Sequence, residues 1–466
     1  MKGFLRDMHW SECLLVLLVF IICLTGACLL PMDQCPDELG RQLLSNWMHR
    51  TGKLPTGDEA ETLLMPSSAE YAISPLTHPP VRSIGAWGFS YALRPYLSSM
   101  AGACFMKVVS FLTASGDALL TASRMGSVLA VSLTCFFCLR LGHLLFRKRI
   151  SAILMAVIVC FLPQVLFLGM YQNNDSLTLC AVSMLLYFFI RGNRDRWSVR
   201  SCAGMGGGFS LGLLSYYSVY GWLLIFGFLC VLSVLLNRED PHRMRTFLRM
   251  TVWIAGICLL LAGWFFIRNA VLHGGDFLGI ASEAASRARL TEQGVQVGPY
   301  NCPREQGISL TEFFTRRDRE FTRMTFRSFI CVFGYMDIYL PDVRYGIYYA
   351  FFLLAIVLYA AVFVRKKKSR EDWMLCLLMA ASGVITLFLT CWGSYMRDYQ
   401  PQGRYIITLI IPIAFMLAWG LDPISPELDP PAKEKCRTLH PGIILTIAYL
   451  LMSLWAFTEM VPRLLS

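Results

Sequence analysis

Two adjacent carboxylates, Asp37 and Glu38, stand in the run Pro36-Asp37-Glu38-Leu39-Gly40-Arg41, a handful of residues after the first long apolar block. Where a membrane helix emerges into water, acids lie close enough to lipid for their ionisation to depend on local surroundings. A carboxylate there can accept the proton of a substrate hydroxyl while a lipid-borne donor approaches from the bilayer. The same residues also suit a helix start, since Asp37 after Pro36 is a reasonable N-terminal residue and acids are favoured in a first turn. Both readings stand at this point.

Further polar groups gather at similar positions. Arg268-Asn269 closes one apolar block and Gln402-Gly403-Arg404-Tyr405 opens another. An arginine can pair with a phosphate through two parallel hydrogen bonds and so offset charge on a departing lipid phosphate. The structural alternative is an arginine that snorkels at a helix end. Asn173-Asn174-Asp175 reads first as a turn and N-cap, and second as polar lining for a cavity beside Asp37. His78, before Pro79-Pro80, is a candidate ligand for substrate or metal, although a lone loop histidine is more often neither. Gly206-Gly207-Gly208 lacks the lysine and spacing of a phosphate loop and reads as close helix packing.

The elements that must position these groups are set by composition. The 466 residues are 56% hydrophobic and only 16% charged, with a mean hydropathy of +0.52. That leaves too little polar surface for soluble domains. The apolar residues fall in blocks of about 17 to 25, each long enough to cross roughly 30 Å of hydrocarbon as a helix. No alternating pattern points to a barrel, so an all-α polytopic membrane protein is expected. The net charge of +11 does not indicate nucleic acid, because the basic residues sit in short connections between apolar blocks. The first block, Cys13 to Leu30, is kept as a membrane helix rather than a signal peptide.

Taking short basic connections as cytoplasmic gives about 11 helices, with the N-terminus inside and the C-terminus outside. The clusters Arg147-Lys148-Arg149 and Arg365-Lys366-Lys367-Lys368 then lie inside, while the Asn173-Asn174-Asp175 turn lies outside. Within this single membrane domain, two outside segments, 31–116 and 269–343, are long enough to carry function. In the first, Leu39, Leu43, Leu44 and Trp47 share one helical face opposite Arg41, Gln42 and Asn46, which predicts an amphipathic helix on the membrane surface. A second interfacial helix is expected around Ile84, Trp87 and Tyr91, and Arg327 to Leu340 is expected to dip into the interface. Cys35 and Cys302 both fall in outside loops, where a disulfide between them is one option among the seventeen cysteines.

In chain order, PDELGR, HPP, QNND, GWFFIRNAVLHGGDFLG, SFICVFGYMDIYLP and QGRY resemble the bacterial domain-of-unknown-function 2142 family of predicted membrane proteins, a branch of the GT-C glycosyltransferases. The resemblance implies a GT-C-like helical membrane body with interfacial helices in an outside loop. It also implies transfer of a sugar from a polyprenyl-phosphate donor to a glycan, lipid or protein acceptor at the outer face of a bacterial plasma membrane. The family's key acid maps to Asp37, with Glu38 beside it, and the QGRY arginine maps to Arg404, which would face the donor phosphate. A histidine often found three residues after the glutamate is replaced here by Arg41.

The expected machinery is therefore Asp37 and Glu38 as catalytic acids, with Arg404, Arg268, His78, Asn174, Asp175, Gln402 and Tyr405 binding substrate. No metal-ligand spacing stands out and no cofactor is expected, although Asp37, Glu38 and His78 leave room for a divalent ion. A transporter or flippase would call for ionisable residues inside helices or paired broken helices. A surface-polysaccharide polymerase or ligase would call for a larger set of phosphate-pairing arginines.

Overall fold

The apolar blocks form long helices because lipid offers no partner to a backbone amide that the helix does not already satisfy. The computed structural model describes residues 8–32, 34–56, 89–237, 240–292, 301–318, 320–365, 367–424 and 441–465. In chain order the helices are α1 (Trp10–Leu29), α2 (Glu38–Thr51), α3 (Phe89–Leu93), α4 (Leu97–Ser110), α5 (Gly116–Leu145), α6 (Arg149–Cys160), α7 (Pro163–Met170), α8 (Asp175–Arg194), α9 (Val199–Ser215) and α10 (Tyr220–Leu235). They continue with α11 (Arg243–Cys258), α12 (Trp264–Leu272), α13 (Ile280–Glu292), α14 (Leu310–Thr315) and α15 (Phe321–Ile330). A hairpin of β1 (Val332–Phe333) and β2 (Ile338–Tyr339) precedes α16 (Asp342–Arg365), α17 (Arg370–Met396), α18 (Ile410–Leu421) and α19 (Pro441–Leu465).

Among the described residues, nine helices are long and apolar enough to cross a membrane, or ten if the bent pair α6–α7 forms one span. The remaining expected crossing is α9, whose 17 residues reach only about 25 Å. Its three consecutive glycines are a packing device. A Cβ on Gly206 would lie 2.9 Å from Ile257 on α11, and one on Gly208 would lie 2.9 Å from Leu185 on α8.

Pro163 at the first position of α7 ends α6 and sets a 61° bend between them. The segment Arg327 to Leu340 packs onto this bend. It does not dip into the interface as its aromatic character suggested, because its apolar side chains find protein. Phe329 to Phe333 are buried, Phe333 stacks on Phe167 with ring centroids 4.3 Å apart, and the Val332 amide donates to Gln164 Oε1 at 2.9 Å. Every residue of α7 is buried.

A second correction concerns α2. It does not lie on the membrane with its polar side in water, because Arg41, Gln42 and Ser45 are buried as deeply as Leu44. The polar face is turned inward against α4 and α5, where Gln42 Nε2 bonds the Ser123 hydroxyl and Ser45 Oγ donates to the Arg41 and Ser99 carbonyls at 2.9 and 3.1 Å. The structure also decides the open question of the two loop cysteines. Cys35 and Cys302 are both thiols, and Cys302 Sγ instead donates to the Met396 carbonyl at 3.2 Å.

Buried charge sits toward both ends of the bundle. Glu12 of α1, fully buried, meets His143 Nε2 at 2.8 Å and Arg149 Nε at 2.9 Å at one end of the bundle. Arg124 of α5, equally buried, meets Glu38 at the other.

Candidate active site

The end of the bundle where α1, α7 and α17 finish and where α5 and α8 begin carries the polar residues that the sequence singles out. Asp37 immediately precedes α2 and adopts a left-handed backbone, φ 62° and ψ 3°. Such a conformation is uncommon outside glycine, and aspartate is among the residues that tolerate it. It sends two neighbouring carboxylates in different directions.

Glu38 turns into the core. Both of its oxygens accept from Arg124, each at 2.8 Å, and Oε1 also accepts from the Gln172 amide at 3.0 Å. The same guanidinium donates to the Ala27 and Leu30 carbonyls at 2.9 and 2.6 Å, taking up acceptors left over at the end of α1. Glu38 is fully buried and accepts three hydrogen bonds, so it is placed as a clamp between α1, α2 and α5 rather than as a second acid beside Asp37.

Asp37 turns toward a cavity. Its side chain remains 37% exposed, and Arg404 Nη2 donates to its Oδ2 at 2.5 Å while Arg41 Nη1 stands 3.9 Å away. The surrounding protein pushes the carboxyl pKa up, but Arg404 and then Arg41 outweigh that push, with hydrogen bonds from Arg404 and Tyr91 adding to them, and hold it down at about 2. Arg404 is 4% exposed and also donates to the Pro36 carbonyl at 3.4 Å and to the Tyr405 hydroxyl at 3.3 Å. Its Nε lies 3.9 Å from Asp175. Arg41 stacks over the Tyr91 ring, 4.6 Å from its centroid.

The turn that presents Arg404 is held by Gly403. Its amide donates to Ser328 Oγ at 2.7 Å, and a Cβ there would collide with the backbone of Phe329 and Thr325 on α15. Gly403→Ala is therefore expected to lower thermal stability, with loss of Arg404 positioning, in a heated-aggregation assay of detergent-solubilised protein; an unchanged melting profile would refute the close-packing argument.

The motif between α7 and α8 is likewise structural at its centre. Asn173 Oδ1 accepts from the Ser176 amide at 2.8 Å, and Gln172 Nε2 donates to Ser45 Oγ at 2.7 Å and to the Ser98 carbonyl at 3.0 Å. Asn174 and Asp175 are buried at the start of α8.

The cavity facing Asp37 has a volume of about 460 Å³. Tyr405 and Tyr216 form part of its wall as a parallel pair, 6.0 Å between centroids and 12° between planes. Arg94, Arg287 and Arg397 also line it, together with Glu283. Glu283 is buried and accepts from Arg94 at 2.7 and 2.5 Å, with Arg397 3.8 Å away. These arginines were not legible in the sequence, since they come from α3's end, α13 and the turn after α17, far apart in the chain. Arg41 had a signal, its four-residue spacing from Asp37.

Of the remaining sequence candidates, Gln402 donates to Gln400 Oε1 at 2.6 Å beside the cavity, while Arg268 points to the Leu54 carbonyl at 3.2 Å and does not line it. His78 lies outside the described residues. Among the described residues, no group of three or more His, Cys, Asp or Glu could hold a metal ion.

A family model for predicted membrane proteins of domain-of-unknown-function 2142 matches residues 82–414. The chain belongs to this family. No curated protein matches the chain by sequence. The fold of this family member is similar to that of ArnT from Cupriavidus metallidurans bound to undecaprenyl phosphate, with a TM-score of 0.51 and 13% identity over 89% of this chain and 60% of that one. It is also similar to the Archaeoglobus fulgidus oligosaccharyltransferase tethered to an acceptor peptide, with a TM-score of 0.50 and 13% identity over 100% of this chain and 56% of that one. This member of the family thus has a GT-C-like fold and spans a little over half the length of those two chains.

Proposed function

We propose that this protein is a membrane glycosyltransferase that moves a sugar from a polyprenyl-phosphate donor to an acceptor hydroxyl, with Asp37 as the base. The observation that carries this reading is a carboxylate held ionised by Arg404 and Arg41 at the wall of a cavity whose lining includes five aromatic rings and three further arginines beside Glu283 and Asp398. The similarity to a fold seen bound to undecaprenyl phosphate supports the donor class.

In this reading the acceptor hydroxyl donates its hydrogen bond to Asp37. Its oxygen attacks C1 of the donor sugar, the C1–O bond to phosphate breaks, and the electron pair leaves with the polyprenyl phosphate. So acidic a carboxylate is a weak base toward a free alcohol. The alcohol becomes strongly acidic only as its oxygen bonds to C1, and the proton then passes to Asp37. The second negative charge that develops on the phosphate falls to the arginines lining the cavity. Arg404, engaged with Asp37, orients the base in this scheme rather than clamping the phosphate.

Among the described residues lining the cavity, Arg94, Arg287 and Arg397 stand with Asp37, Glu283 and Asp398. This set of arginines is larger than the one visible in the sequence and keeps a diphosphate-using polymerase or ligase as the second reading, which the donor panel below separates. The basic helix ends on the opposite face support an extracytoplasmic site.

The test is consumption of radiolabelled polyprenyl-monophosphate and polyprenyl-diphosphate sugars by wild-type protein in lipid nanodiscs. Turnover of monophosphate donors is expected; turnover of neither, across a broad panel, would sink the transferase reading. The pH profile is a second check. A pKa lowered from 3.8 to about 2 leaves Asp37 ionised throughout ordinary pH, so its contribution to stability is full above pH 4 and is lost only as pH falls toward 2. No acid limb from Asp37 is therefore expected in the rate between pH 5 and 8.

A further inference from the structure

We propose that the cavity facing Asp37 opens sideways into the bilayer between the α9–α10 turn and the end of α17, and that the isoprenoid chain of the lipid-linked donor lies in this opening. The identity of the ligand rests on the transferase reading; the opening rests on where the side chains of α17 face. One face of that helix, Leu389, Trp392 and Gly393 at i, i+3 and i+4, lines the cavity together with Tyr217 and Ser218. The adjoining face is closed, because Cys391 and Tyr395 pack on Phe313 of α14 and Phe321 of α15.

The lipid-facing stripe of α17 runs into this wall. Leu377, Val384 and Phe388 are exposed along a helix long and apolar enough to cross a membrane, and none of them lines the cavity, so it is lipid that they meet. Phe388 stacks on Trp392, with ring centroids 5.8 Å apart and 20° between planes, and Trp392, 51% exposed, does line the cavity. A continuous apolar surface therefore leads from the hydrocarbon past Trp392 to the cavity. The route is open at Gly393, where a Cβ would have no atom of the described residues within 4 Å. Nearer the bilayer centre it is closed. A Cβ on Gly221 of α10 would lie 2.6 Å from Ile385 and 3.5 Å from Leu389, so α10 and α17 are in contact there.

Depth sorts the two ends of such a donor. Trp392 lies about 6 Å before the end of α17 at Met396, which places the opening at the edge of the hydrocarbon. Arg397 follows directly and lines the cavity with Arg94 and Arg287, at the level where a phosphate attached to the chain would sit. A chain that stays in lipid while its phosphate reaches these arginines gives up no apolar surface to water on binding. A free, water-soluble donor would need no such opening.

The experiment places the photo-crosslinker p-benzoylphenylalanine at position Gly393 of the full chain, in phosphatidylglycerol nanodiscs doped with undecaprenyl phosphate. The expected result is a crosslink to undecaprenyl phosphate about tenfold stronger, or more, than from the same crosslinker at Val357, an exposed position of α16 that does not line the cavity. Crosslinking no stronger than at Val357, or to phosphatidylglycerol in proportion to its abundance, overturns the proposal. Gly393→Trp is the second variant, a plug in open space whose effect is read by donor chain length. Its kcat/KM is expected to fall about tenfold further for an undecaprenyl-phosphate sugar than for a donor with a two-isoprene chain. Equal losses for both donors also overturn the proposal. A crosslink at Gly393 without turnover of any donor would refute the transferase reading alone, and turnover without the crosslink would refute the opening alone.

Discussion

Asp37→Asn is expected to lower sugar transfer by about 10²- to 10⁴-fold, the range in which a positioned acid or base usually contributes. The amide keeps the size of the side chain and can still receive a hydrogen bond from Arg404 through its oxygen, so the turn before α2 is preserved. It loses the charge and the ability to take the acceptor's proton. Substrate binding is expected to change much less than the rate constant, and folding, followed by elution as a single species from size exclusion, should match wild type. Full activity in Asp37→Asn would leave the enzyme class standing and remove Asp37 as the base. Arg404→Lys is the informative companion. It retains one positive charge near Asp37 but loses the fork that reaches Pro36, Asp37 and Tyr405 together, so an intermediate loss is expected.

The second large effect concerns stability. Arg124→Met leaves Glu38 as a charge buried without its partner, with the carbonyls of Ala27 and Leu30 also unsatisfied. Breaking a buried pair from one side costs about 3–5 kcal/mol. Replacing both partners, as in Glu38→Leu with Arg124→Met, removes the stranded charge and is expected to recover part of that loss, although the Gln172 amide then lacks its acceptor. Steric-trap unfolding in micelles would measure both. If the double variant is no more stable than Arg124→Met alone, the cost lies in packing rather than in the unpaired charge. Because Asp37 follows directly from this clamp, a surviving Arg124→Met population should also show slower transfer.

These two residues mark where sequence reasoning reaches its end. Asp37 and Glu38 are chemically alike and adjacent, and the left-handed backbone at Asp37, which separates them, leaves no trace in a motif. Arg124 stands alone inside an apolar block, and a single arginine there does not say which carboxylate it meets across 86 residues. Similarly, the apolar stripe Leu39, Leu43, Leu44 and Trp47 identified α2 as amphipathic, but only the tertiary structure shows that its polar face is covered by α4 and α5 rather than by water.

The sequence by itself determined what depends on local composition. Long apolar blocks must become helices because lipid leaves the backbone no other partner, and motifs such as QNND and QGRY, which fall within the matched residues 82–414, pointed to the family that the chain belongs to. That Gly403 must be a glycine, by contrast, follows from its contact with the backbone of α15. The tertiary structure alone decided which charges meet. Arg404 pairs with Asp37 across 367 residues, and Arg94, Arg287 and Arg397 converge on one cavity from three separate segments. Ionic contacts of this kind are made by side chains distant in sequence, and their partners follow from how the helices pack, which the pattern of apolar residues along one helix does not encode.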